Sequence, residues 1–143
     1  MSLILGELEY TAMGTGRLDI VVPYTTAYLT RLALRRAGEL ATGIPSRIRL
    51  LRMQRVPFPL DMDQSPVSLE FLREQTRQIV RDMPASEVVI FLTRDPEETL
   101  LRALRRDSIL VVASRRRWWR TAQERLKEVC ARRGHRVALT YGE

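Results

Sequence analysis

The run Ser114-Arg115-Arg116-Arg117-Trp118-Trp119-Arg120 concentrates more chemistry-bearing side chains than any other stretch of the chain. Its four guanidinium groups, with no acid among them, can hold an anion through charge-assisted and bidentate hydrogen bonds. The two indoles can stack on a planar ligand or on the guanidinium planes. A purely structural reading stands beside this one. In it one tryptophan packs in the core, the other covers the start of the next helix, and the arginines are solvated. Tyr24, Thr25 and Thr26 form a second candidate patch of hydroxyls, although helix capping already accounts for the two threonines.

The remaining reactive side chains point away from catalysis. One cysteine, Cys130, and one histidine, His135, cannot make a Cys/His zinc site. His135 is expected to be a structural histidine with its ring nitrogens satisfied, and Cys130 an inert core thiol. Asp61 and Asp63 fall well short of a calcium loop. Gly14-Thr15-Gly16 precedes a strand instead of following one, so it is no phosphate loop. No serine or cysteine sits in a recognisable nucleophile elbow. The expectation is a protein with no catalytic residue and no metal site.

These residues are positioned by alternating strands and helices. Strands are expected at 18–22, 48–53, 87–92, 108–113 and 135–141. The runs at 87–92 and 108–113 are almost wholly apolar, which suits strands buried on both faces of a parallel sheet. Between them, Thr25 and Thr26, Ser65-Pro66 and Asp95-Pro96-Glu97-Glu98 read as helix starts. A fourth helix is expected to open within the Arg/Trp run itself. Gly43-Ile44-Pro45, Pro84 and Gly134 read as stops. Strict alternation predicts one α/β domain over 18–143, an open parallel five-stranded sheet with helices on both faces. Residues 1–17 are read as an arm or an added edge strand. The chain's 143 residues suffice for one core. No apolar run approaches a membrane span and no export signal opens the chain, so a cytoplasmic protein is expected.

Charge is uneven. Residues 94–136 carry twelve arginines and Lys127 against six acids, whereas residues 1–93 carry eleven arginines against ten acids. The basic third raises nucleic-acid binding as an alternative function, because phosphate neutralisation drives such affinity. Few aromatic residues and no recognition-helix or RNA-binding motif argue against it.

The segment Arg94-Asp95-Pro96-Glu97-Glu98-Thr99-Leu100-Leu101 resembles the G-D-P-x-x-x-I-L stretch of the universal stress protein family. Ser108-Ile109-Leu110-Val111-Val112-Ala113-Ser114-Arg115 resembles that family's D-L-I-V-M-G-S-R stretch. The resemblance covers residues 18–141. It implies strand order 3-2-1-4-5, a homodimer through the last strand, and a regulatory or stress-response role without catalysis. Nucleotide-binding members carry G-x-x-G-x(9)-G-[ST] after the fourth strand, whose glycines let backbone N–H groups reach phosphates. Here Arg116 and Trp119 stand at the first two glycines, and Pro23 and Tyr24 stand where the family has an aspartate. The resemblance thus implies a divergent member without the ATP motif, binding another small anionic ligand or a protein partner and needing no cofactor. A nucleotide-binding or nucleotide-hydrolysing protein with an atypical phosphate site is the further alternative. Arg117-Trp118-Trp119 followed by Leu126-Lys127 is also similar to the stress-protein-like cytosolic domains of amino-acid permeases.

Overall fold

The computed structural model describes residues 17–57, 68–85 and 87–142. The expected arm at 1–17, apart from Arg17, therefore lies outside the described residues. So do Ser65-Pro66, Asp61, Asp63 and Gly14-Thr15-Gly16.

The described residues alternate as β1 (Leu18–Pro23), α1 (Ala27–Ala41), β2 (Ser46–Arg55), α2 (Leu69–Val80), β3 (Glu87–Thr93), α3 (Pro96–Ala103), β4 (Ile109–Arg115), α4 (Ala122–Arg132) and β5 (Arg136–Gly142). The five strands form one parallel sheet in the order β3-β2-β1-β4-β5. Ile20 sits opposite Ile48 on one side and Ile109 on the other, which places β1 at the centre.

Local chemistry starts each helix. Thr26 accepts a hydrogen bond from the Leu29 N–H and caps α1. Asp95 does the same for the Glu98 N–H, with Pro96 in the first turn of α3. Ser68 caps α2, so within the described residues that helix begins after the Ser65-Pro66 start suggested by the sequence. Gly134 turns the chain out of α4 at φ +86°, a conformation a side chain would resist.

The side-chain alternation of each strand feeds two cores. Ile20, Val22, Ile48, Leu50, Val111 and Ala113 pack against α1 through Leu29, Ala33, Leu34 and Ala37. Val21, Leu51, Val89 and Leu110 face the other way, against Leu100 and Leu101 of α3, Leu104 just beyond it, and Cys130 of α4.

The two apolar strand runs do not share one fate. In β4 every residue from Leu110 to Ser114 is buried, as expected. β3 is an edge strand, and Val88 is exposed there. An edge strand lacks a neighbour on one side, so its apolar residues are only half covered.

A second departure lies at the amino end of the sheet. Asp19 and Arg49 are fully buried and joined by two hydrogen bonds, of 3.0 and 2.8 Å. Ser108 Oγ also donates to Asp19, and the guanidinium reaches the Ala103 carbonyl at 3.0 Å. Arg49 lies in β2 with Arg47, Arg52 and Arg55, and a charge repeated along a strand does not by itself show which copy is buried.

Candidate functional site

β1 and β4 are neighbours, yet their connections leave in opposite directions, through α1 towards β2 and through α4 towards β5. Ligands of open α/β sheets bind beyond the carboxyl ends of strands at such a switch point. A crevice of about 500 Å³ opens there. Pro23, Met53, Leu100, Leu126 and Val129 give it apolar walls. Tyr24 and Thr25 line it from the end of β1, Glu97 from α3, Arg120 from the loop before α4, and Gln123 and Arg125 from the start of α4.

The residues at the end of β1 are held by their neighbours. The Tyr24 N–H donates to the Leu51 carbonyl, and the Arg52 guanidinium lies 4.0 Å from the centre of the Tyr24 ring. Arg52 is itself anchored on Thr76 at 3.0 Å. The Thr25 N–H donates to Thr30 Oγ1, which fixes the turn into α1. Thr26 is committed to its cap.

The Arg/Trp run departs from expectation. The strand continues through Ser114 and Arg115, and α4 begins only at Ala122. The start is set by a capping box. Thr121 Oγ1 accepts from the Glu124 N–H while a Glu124 carboxylate oxygen accepts from the Thr121 N–H. The run therefore forms a loop instead of opening a helix, and the helix end already holds a carboxylate. That cap and the phenol of Tyr141, donating at 2.8 Å, hold Glu124 below the usual carboxylate range. The same bond pushes the Tyr141 hydroxyl above its ordinary value.

The four arginines lie against different partners, although Arg115, Arg117 and Arg120 also line one open pocket of about 380 Å³ with Trp119. Arg115 lies 4.9 Å over Tyr28, Arg116 4.9 Å over Tyr141, and Arg117 5.7 Å over Trp119. Arg120 pairs with Glu128. Of the run, only Arg120 reaches the crevice. Ser114 is fully buried and shares a 2.7 Å hydrogen bond with Thr121, so its hydroxyl serves the fold. Neither tryptophan is in the core: Trp118 is 92% exposed and Trp119 49% exposed. The structural reading fails in placing one tryptophan in the core, because a loop that leaves the sheet carries both rings outward; Trp119 does lie beside the start of α4 and the arginines are exposed.

Arg125, Gln123, Glu97 and Met53 were missed as site residues. For the first two a signal existed. Leu126, Val129 and Cys130 mark the inward face of α4, and Gln123 and Arg125 border that face. Two further expectations stand differently. Cys130 is buried, and burial pushes its thiol pKa up, away from reactivity. The Nδ1 of His135 is buried without a hydrogen-bond partner, so the ring is not the fully satisfied histidine expected.

Removing the α4 cap tests this local account. Thr121→Ala deletes the capping hydroxyl and strands the buried Ser114 hydroxyl. The expected loss is about 1–2 kcal/mol in urea unfolding. Thr121→Ser restores both bonds and should recover most of it.

Among the described residues no helix is long and apolar enough to cross a membrane, and no cluster of potential metal ligands occurs. No family model matches the chain, and no curated protein matches it. Solved structures do. A universal stress protein in complex with cAMP aligns with a TM-score of 0.56 at 17% identity, over 90% of this chain and all of that one. A hypothetical protein whose biochemical function was assigned from its structure aligns with a TM-score of 0.56 at 11% identity, over 88% of this chain and 96% of that one. With its sheet order and its two helical layers, the chain has the fold of the universal stress proteins.

Proposed function

We propose that this chain is a non-enzymatic regulatory module of universal-stress-protein type that binds a small anion carrying a planar or apolar part. The crevice at the β1/β4 switch point carries the reading: apolar walls for the body of a ligand, with Arg120 and Arg125 at its polar rim for the charge. The cAMP complex of a protein with the same fold supports a ligand of this size and chemistry. ATP is not the ligand in this proposal, because Arg116 and Trp119 occupy the positions where the resemblance expects phosphate-cradling glycines. The module works without a cofactor, in the cytoplasm, as a homodimer through β5; a protein partner is its readout.

A thermal melt with cAMP, AMP and ATP in turn tests the proposal. A ligand at about 100 times its dissociation constant adds ~2.7 kcal/mol and raises the melt by several degrees. The expected result is a shift with the monophosphates that Arg125→Ala abolishes. An equal shift with ATP would mean that the Arg/Trp loop has replaced the glycine loop. No shift with any of them would sink the small-anion reading and leave the protein partner.

A further inference from the structure

We propose that the loop Arg116 to Trp119 is a docking tip for an anionic membrane surface, distinct from the crevice that Arg120 lines. Residues 116–119 do not line that crevice, so the two proposals stand or fall independently. Trp118 projects almost entirely into solvent at 92% exposure, and Trp119 beside it is half exposed. Two indoles in water at the end of one loop are an apolar surface that asks for a partner. The headgroup layer of a bilayer suits them, since an indole there buries its ring and keeps its N–H wet.

Charge supplies the second signal that peripheral binding needs. Arg116 and Arg117 lead into the rings, with Arg117 5.7 Å over Trp119, and Lys127 is exposed on the adjoining helix. Of the two acids beside the loop, Glu128 is paired with Arg120, and Glu124 is outnumbered by Arg116, Arg117 and Lys127. The tip therefore presents cations around an aromatic point, which matches anionic phosphates around an apolar layer.

The geometry favours a lipid surface over a nucleic acid. The two indole planes meet at 90° with centroids 5.2 Å apart. Successive bases stack on ring faces presented along a groove, and perpendicular rings on a protruding loop offer no such platform.

Trp118 and Trp119 are the only tryptophans of the chain, so intrinsic fluorescence reports the tip alone. The full chain should float with vesicles of phosphatidylcholine and phosphatidylglycerol in equal parts, but not with phosphatidylcholine alone. Its emission should shift to the blue, and brominated lipid should quench it. Trp118→Ser, safe for folding at so exposed a site, should weaken binding about tenfold. Arg117→Gln should weaken it about fivefold. Failure to float with the anionic vesicles, or flotation unchanged in Trp118→Ser, would overturn the proposal. So would a single-stranded oligonucleotide that binds the tip more tightly than the vesicles do; the loop would then be a nucleic-acid contact.

Discussion

Asp19→Ala lowers the unfolding free energy by about 3–5 kcal/mol. The reason is the partner left behind. Arg49 is 1% exposed, and without Asp19 its cation loses its carboxylate at a buried site, where the neutral Ala103 carbonyl cannot balance the charge. Ser108 loses a bond at the same time. Urea unfolding gives the energy, and a melt should fall by roughly 10–15 °C. If the variant does not fold well enough to measure, Asp19→Asn gives a milder form of the same loss. The paired replacement Asp19→Leu with Arg49→Met separates the pair from the place. Removing both charges together should recover most of the stability, because the desolvation cost of the ions disappears with their attraction. A single Asp19→Ala within about 1 kcal/mol of the parent would show that the buried ion pair is not what holds this corner.

Leu110→Ala comes next, at about 2–5 kcal/mol. Leu110 is fully buried in β4, opposite Val21 in β1 and Val137 in β5, and packs with the layer of α3 and α4. Its neighbours on both sides are strands that cannot move to fill the space, so a cavity remains. The control is Val88→Ala in β3, where the side chain is 37% exposed on an edge strand. There the expected loss is about 1 kcal/mol or less. Equal losses at both positions would contradict the difference between centre and edge.

That comparison shows how far the chain itself could be read. Strand and helix order, the parallel sheet, and the Thr26 and Asp95 caps all follow from local patterns: apolar runs, a hydroxyl or carboxylate before a helix, a proline in its first turn. These are short-range effects, and residues close in sequence decide them. The Thr121-x-x-Glu124 capping box is as local, and it places the start of α4 later than the arginines alone suggested.

The rest needed distance in the chain to become proximity in space. Glu87 to Leu92 and Ser108 to Ala113 look alike as sequence, and only the strand order makes one an edge and the other a centre. Asp19, Arg49 and Ser108 are far apart along the chain, and nothing local tells the buried Arg49 from the half-buried Arg52 and the exposed Arg55 of the same strand. The crevice collects Tyr24, Met53, Glu97 and Arg125 from four separate stretches, whereas the arginines adjacent in sequence lie against different partners. Sequence neighbourhood determined the elements of this protein. Which of its charges are buried, which of its rings are bare and which side chains share a cavity were decided by the packing of β1 against β4, because burial is a property of long-range contacts.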